Sequence, residues 1–550
     1  MPTSNSPSDP APAPAPRPAP GSSPAPALQQ TYAAAVPDLS VPWQAEGAAR
    51  PELTWLNEEL AADLGYEPAW LRSPAGLALL TGRLDAEGRP LPPGAPAPSD
   101  PFTTAQVYAG HQFGQPNPQL GDGRAVLLGD LIDSRGNRRD LHLKGAGRTP
   151  FARAGDGRAP LGPMLREAVI GESLHALGIP TTRALAVVAT GERIRPRRGI
   201  TPEPGAMLTR VAASHLRVGT FEYAAWHLGP QVLRALADHA IDRHHPDARC
   251  AQNPYLDLLR RVSEAQAHLV AQWMLAGFVH GVMNTDNMTI SGEGIDYGPC
   301  AFLDEHRARA VFSSIDHQGR YAYGNQPGIA LWNLSRFAET LLPLIAPEQP
   351  EAAIEAATEV LQGYEPAYLD AWTRGMARKL GIALSADPGA APSAGIDATP
   401  SAGADQERMT AVRRLGEDLL VLLESQRVDH TGFFRALADG PRALFADPAP
   451  YDAWHQRLAD LRACAPGADG TPPERTPAAQ ALAAMARANP VHIPRNIHLE
   501  NALRGAHLGD LSEVRTLLEA VRRPFSPRPE WAHLEGPGEG GENFLTYCGT

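Results

Sequence analysis

Apolar positions fall in short blocks along most of this 550-residue chain, and the spacing inside each block predicts its element. Ala125-Val126-Leu127-Leu128-Gly129-Asp130-Leu131-Ile132 is a near-continuous apolar run of strand length and reads as a buried strand. The turn Ser134-Arg135-Gly136-Asn137 follows, and Asp140 to Lys144 forms a second strand. Entered through a glycine-rich segment, the pair predicts a hairpin lid over a ligand. Strand patterns recur at 183–190 and 205–212. Residues 162–178 read as a helix that opens with Gly162-Pro163 and closes at Gly178. Glu167, Gly171 and Leu174 lie on one stripe of it, and a carboxylate on a packed stripe implies a partner. From about residue 221 the periodicity is mainly helical. Leu256 to Phe278 predicts a long helix or helix pair, and helical segments resume at 408–426 and 476–488.

Between these blocks the composition changes. Residues 1–30 are mostly Pro, Ala and Ser and predict a disordered tail, with structure beginning near Tyr32. Residues 31–100 form an N-terminal extension of short helical patterns that ends in a proline-rich connector from Pro90 to Pro101. Residues 384–405 are small, polar and proline-containing, as in a flexible insertion. The glycine-rich residues 536–550 predict a flexible tail carrying Cys548. No internal repeat is present.

The charge balance is acidic, with 61 Asp+Glu against 49 Lys+Arg, which argues against a general nucleic-acid or membrane-surface binder. No apolar run approaches the roughly 20 residues that span a bilayer. The N-terminus shows no basic stretch followed by an apolar one, and the four cysteines have no CxxC spacing. The expectation is a cytoplasmic protein with neither a zinc site nor a disulfide framework. Of the 49 basic residues only Lys144 and Lys379 are lysines. In such a chain a lysine that ends a strand before Gly145-Ala146-Gly147 indicates a site that wants a compact ammonium, and gripping nucleotide phosphates is one such task. A surface lysine retained by chance is the alternative.

The partner of Lys144 in this reading is His280-Gly281-Val282-Met283-Asn284-Thr285-Asp286-Asn287, with Asp296-Tyr297-Gly298 beyond it. Kinase-like phosphotransferases use His-x-Asp, then Asn five residues after that Asp, then Asp-x-Gly; the first Asp orients the acceptor hydroxyl and the others hold magnesium. The frame fits here, but Val282 stands where that first Asp belongs, and a carboxylate occurs instead at Asp286. Valine cannot accept a proton, whereas the oxygen ligands Asn287 and Asp296 still suit a hard cation. Taken singly the motifs have plainer readings: Asp296-Tyr297-Gly298 as a turn, His280 as a buried structural histidine, Asn287 as a cap. Arg124, Arg210 and Arg217 are either solvated charges or a phosphate clamp. Asp156-Gly157 is either a turn or part of a nucleotide pocket. Glycine-rich segment, strand Lys, helix Glu, His-x6-Asn and Asp-x-Gly occur together in kinase order. That order predicts an α+β, protein-kinase-like two-lobed fold: a β-rich N-lobe and helical C-lobe over residues 101–345, then a helical C-terminal region over 346–535.

With these motifs the chain resembles the selenoprotein O family of kinase-like protein adenylyltransferases from about Tyr32 onward. The likeness is sharpest in Tyr108–Arg124, Leu141–Gly157, Ala206–Glu222, His280–Gly298 and Asp316-His317-Gln318-Gly319-Arg320-Tyr321. The resemblance implies that ATP binds reversed relative to ordinary kinases and that AMP passes to Ser, Thr or Tyr hydroxyls of protein substrates, itself among them, with release of pyrophosphate. It implies that Lys144 holds phosphates and pairs with Glu167. Gly121, Gly123, Arg124, Asp156 and Gly157 would line the nucleotide pocket, and Arg210 and Arg217 would clamp the triphosphate. Asn287 and Asp296 would hold Mg2+ or Mn2+, and Asp286 would accept the proton. Cys548 matches a position where relatives carry selenocysteine or cysteine; Cys300 is its candidate redox partner, the position used in a relative being Phe312 here, and an inert thiol is the alternative. UMP transfer from UTP and a non-catalytic nucleotide-binding pseudokinase are the competing functions. A monomer without nucleic-acid or membrane partners is expected.

Overall fold

The computed structural model of the chain describes residues 25–153, 155–195, 202–384, 402–463, 477–541 and 544–546. Its strands are β1 (Ser40–Pro42), β2 (Glu52–Leu56), β3 (Thr104–Gln106), β4 (Gly110–Gln112), β5 (Gln115–Asn117), β6 (Ala125–Ile132), β7 (Arg138–Lys144), β8 (Arg183–Ile194), β9 (Glu203–Ala212), β10 (Phe278–Val279) and β11 (Ala301–Phe302). Seven of them form one sheet in the order β1-β3-β6-β7-β9-β8-β2, with antiparallel neighbours throughout. The fold is mixed α/β, a mainly antiparallel sheet with many helices.

Strand alternation decides what each face of the sheet carries. Val126, Leu128, Leu141 and Leu143 point into a core shared with Leu60, Leu64 and Leu80 from the short helices of the N-terminal extension. Leu127 and Leu208 point the other way, into a larger core with Leu165 and Val169 of the helix Leu161–Ala176. Covered on both sides, β6 is buried along all but its last residue, which is why its sequence is almost continuously apolar. Because Leu141 and Leu143 face the first core, His142 and Lys144 must face the second.

The predicted β6 coincides with the observed strand, and β7, β8 and β9 extend the predicted spans by a few residues. The predicted lid does not form from β6 and β7, which are central strands of the sheet. The glycine-rich segment before them folds back separately as the small hairpin β4–β5. Order begins ahead of Tyr32: Gln29 exchanges two backbone hydrogen bonds with Asp130, each 2.8 Å, and Leu28 is buried. The short β3 pairs with β6 only at Leu127, so Asp130 has backbone groups to satisfy, and residues 25–30 supply the partner rather than belonging to a tail. Residues 1–24 of the expected tail lie outside the described residues.

The long predicted helix is Pro254–Ala276, started by the Asn253 side chain accepting from the Leu256 amide and ended by a left-handed Gly277, so Phe278 opens β10 instead. The helix expected from 408 begins at Ala402, with Asp405 in its first turn, so residues 402–405 of the expected insertion are helical; 385–401 lie outside the described residues. No helix among the described residues is long and apolar enough to cross a membrane.

Gly171 is one turn beyond Glu167, and a Cβ there would lie 2.8 Å from the Thr182 carbonyl oxygen. That oxygen belongs to backbone and cannot swing away. Gly171→Val is therefore expected to lower stability by about 1–3 kcal/mol through overpacking, although leaving glycine favours a helix. Denaturant unfolding followed by circular dichroism measures the difference.

Candidate active site

A cavity of about 520 Å³ opens on the face of the sheet that carries His142 and Lys144, a size typical of small-molecule sites. Its floor is a buried ion cluster. The Lys144 ammonium donates to Glu167 Oε2 and to Asp296 Oδ1, each at 2.6 Å. Arg210 Nη1 donates to Glu167 Oε1 at 3.0 Å and to the same Asp296 Oδ1 at 2.8 Å. Strand register brings the two cations together, since Arg210 pairs directly with His142, two residues from Lys144. Asp296 has a left-handed backbone (φ 64°), uncommon for a residue other than glycine and a conformation that asparagine and aspartate tolerate best. Burial works to raise its pKa, but Lys144, Arg210 and Arg217 prevail and hold the carboxyl well below the usual range.

Behind the cluster lies a polar layer in which the predicted Arg217 joins Asp122, His142 and His215, three residues given no role from sequence. Asp122 Oδ2 meets His142 Nε2 at 2.9 Å, while His142 Nδ1 faces Arg210 Nη2 at 3.4 Å. Burial lowers the His142 pKa, leaving a neutral ring that donates to Asp122 and accepts from the arginine. Burial also opposes the Asp122 charge, yet the hydrogen bond from His142, the Arg217 charge and the Gln106 amide keep that carboxyl below its ordinary range. His215 stacks on His142 at 4.3 Å and meets Asp140 Oδ2 at 3.3 Å. Arg217 lies over the Tyr108 ring at 4.3 Å, with its Nη1 3.9 Å from Asp122 Oδ1. Buried Nε atoms of both Arg210 and Arg217 have no hydrogen-bond partner among the described residues. The clue available in sequence was the His142-x-Lys144 spacing, which puts both side chains on one strand face.

The segment after β10 forms the opposite wall. His280 is fully buried, with Nε2 2.8 Å from the Ile295 carbonyl oxygen and Nδ1 3.4 Å from the Val282 amide, so it holds two backbone turns together. Val282 lines the cavity, and its carbonyl accepts from Asn287 Nδ2 at 3.0 Å. With that nitrogen occupied, the oxygen is the atom of the Asn287 amide left for a ligand. Asp286 lies beside Gly110: a Cβ on that glycine would be 2.8 Å from Asp286 Oδ1. This Oδ1 is buried without a hydrogen bond among the described residues, and Oδ2 receives only a 3.5 Å contact from Gln112. Burial, opposed by Arg217 and assisted by the Asp296 charge, pushes the Asp286 carboxyl up to about 7. Thr285 ties this wall to the glycine-rich segment, accepting from the His111 amide at 2.7 Å and donating to Glu222 Oε2 at 2.6 Å.

The residues predicted to line the nucleotide pocket also meet at the cavity. Gly121, Gly123, Arg124, Asp156 and Gly157 all line it. Asp156 closes its own turn by accepting from the Arg158 amide at 3.0 Å, so the turn and the lining coexist. A Cβ on Gly157 would fall 2.1 Å from the Gly147 backbone, which restricts the position to glycine. Cys548 lies outside the described residues. The nearby Thr546 donates its hydroxyl to the Pro299 carbonyl at 2.8 Å, Cys300 is buried with Sγ 3.3 Å from the Tyr297 carbonyl oxygen, and Phe312 packs on Phe544.

The family described as protein adenylyltransferase SelO matches residues 28–522. Over 532 residues the chain is 51% identical to the protein nucleotidyltransferase YdiU of Pseudarthrobacter chlorophenolicus, spanning 95% of this chain and 98% of that protein. Similar agreement links it to proteins of the same name from Mycolicibacterium smegmatis, 50% identical over 530 residues, and Chromobacterium violaceum, 47% identical over 526 residues. These spans cover 95% and 94% of this chain and 98% and 100% of the two relatives.

Lys144→Met removes one of two cations that share Glu167 and Asp296. Stability is expected to fall by about 3 kcal/mol, the low end for breaking a buried ion pair, because Arg210 still holds both carboxylates. Denaturant unfolding of the two proteins side by side checks the value.

Proposed function

The chain belongs to the protein adenylyltransferase SelO family and is a nucleotidyltransferase; from that premise we propose that it transfers AMP from ATP to Ser, Thr or Tyr hydroxyls of proteins, on a protein-kinase-like scaffold. The observation that carries this reading is the pairing of a buried phosphate-type cation set, Lys144, Arg210 and Arg217, with a carboxylate wall in which Val282 replaces the aspartate a kinase uses and Asp286 holds an unsatisfied oxygen. The domain assignment follows the same reading: residues 101–345 form the catalytic core, and 346–535 are helical additions.

In this reaction the acceptor oxygen bonds to the α-phosphorus, the bond from that phosphorus to the α–β bridging oxygen breaks, and pyrophosphate leaves with the electron pair. Asp286 Oδ1 takes the hydroxyl proton. A carboxyl raised to about 7 is matched to that task at neutral pH, unlike an ordinary aspartate. Lys144 and Arg210, held in place by Glu167 and by the His142–Asp122 pair, present fixed positive charge to the phosphates, so little reorganisation is needed as charge moves to the leaving group. Arg217 extends that charge toward Asp286, as its lowering effect on the Asp286 carboxyl reflects. Tyr108, Gly121, Gly123, Arg124, Asp156 and Gly157 enclose the remainder of the nucleotide.

The donor set at Asn287 and Asp296 consists of oxygens, which fits Mg2+ or Mn2+. Among the described residues no group of three or more His, Cys, Asp or Glu is arranged to hold an ion. Such an ion, when bound, neutralises phosphate charge.

Label from α-phosphate-labelled ATP is expected to appear on protein, and label from the γ-phosphate is not; γ-label transfer would replace the proposal with a phosphotransferase. Excess unlabelled UTP should leave the signal in place. Asp296→Ala should lower the rate by about two to three decades, corresponding to roughly 3–4 kcal/mol of transition-state stabilisation.

The pH dependence provides a separate check. Activity should rise with pH through about 7 as Asp286 ionises, and Asp286→Asn should be slow and lack that rise. The stability effect has the opposite sign. A carboxyl with a raised folded pKa favours the folded state at low pH and loses that contribution as pH climbs from about 4 to about 7, so Asp286→Asn should flatten this part of the stability profile.

A further inference from the structure

Lys379, the other lysine of the chain, lies in the helix Tyr364–Leu380, remote in sequence from every residue of the cavity described above, and is 5% exposed. Its Nζ stands 4.0 Å from the centre of the Phe434 ring, and among the described residues it makes no hydrogen bond and no ion pair. A buried ammonium with only an aromatic face for company is rare, because one cation–π contact recovers less than the hydration that is lost. Burial accordingly pushes its pKa down to about 7.

Lys379 borders a second cavity, of about 530 Å³. Leu275 and Phe525 contribute apolar wall, Gln272 lies on one side, and Arg378 and Arg487 stand at exposed positions of the lining. No Asp or Glu lines it among the described residues. Gln272 Oε1 is buried there and also lacks a hydrogen-bond partner among the described residues. A buried ammonium and an orphan amide oxygen thus line one space of ligand size whose walls are otherwise largely apolar.

We propose that this second cavity binds an amphipathic organic anion, with a carboxylate or phosphate head on Lys379 and an apolar body against Leu275 and Phe525. A single buried cation matches a single anionic head, whereas a nucleoside triphosphate would bring more charge inside than the cavity can balance. Arg378 and Arg487 draw the anion toward the entrance. Gln272 Oε1 is an acceptor, so it suits a hydroxyl or amide N–H on the ligand beside the head group and not the anionic head itself.

Titration calorimetry and thermal melting of the full chain with octanoate, octyl phosphate, octanol and inorganic phosphate test the assignment. Octanoate or octyl phosphate should bind and raise the melting temperature, the tighter of the two identifying the head group. Octanol and inorganic phosphate should bind at least about tenfold more weakly, each lacking half of the required chemistry. Lys379→Met should melt no lower than the parent without ligand, since it removes an unpaired buried charge, and should lose roughly tenfold or more in affinity for the anion. Ala484→Trp, which fills the cavity from a half-buried wall position, should abolish binding independently of Lys379. The proposal is overturned if neither amphiphilic anion binds, if octanol binds as well as octanoate, or if both variants bind like the parent.

Discussion

The four-way contact among Lys144, Glu167, Arg210 and Asp296 is the constraint on which the site depends. Each member comes from a different element: β7, the helix Leu161–Ala176, β9 and the turn after residue 290. Two cations and two carboxylates removed from water are tolerable only together, because any one alone would carry an uncompensated charge. The cluster therefore fixes how the sheet, the helix and the turn sit relative to one another. It also leaves Asp296 in a left-handed backbone conformation, with its carboxylate on the cavity.

That arrangement drives two neighbouring carboxyls in opposite directions. Asp296 meets Lys144 and Arg210 directly and stays ionised far into the acid range. Asp286 has only a distant amide and the field of Arg217 to set against burial, and its carboxyl rises to about 7. Environments that separate two carboxyls in this way divide their tasks, one holding fixed negative charge and the other able to exchange a proton near neutrality. The neutral His142 beneath Arg210 contributes by position: pinned between Asp122 and the guanidinium, it orients the arginine without adding a charge.

Much of the fold was legible along the chain. The β6 run, the helix around Glu167 and the long helix ending near Gly277 announce themselves through local spacing and end signals. The readings that failed involved contacts distant in sequence. Residues 25–30 look like the rest of a Pro/Ala-rich tail, yet Gln29 completes hydrogen bonds left open a hundred residues later at Asp130. β6 and β7 look like an isolated hairpin because neither reveals β3 and β9 on its flanks. Asp122 and His142, separated by twenty residues, form no motif in one dimension, and only the fold brings them within 2.9 Å of each other.

Residue identity along the chain is enough to name the groups able to carry the chemistry: a scarce lysine at a strand end, a carboxylate on a helix stripe, valine at position 282, and acids at 286 and 296. Residue type and local period settle those matters, since they depend on side-chain chemistry and short-range geometry. Which of these groups meet follows from the fold alone. It set the register that places Arg210 beside His142, the close approach of Gly110 that encloses Asp286, and the unequal company that separates the titration of two aspartates. Burial and Coulomb interaction depend on distance in space, and no spacing along a chain contains that distance.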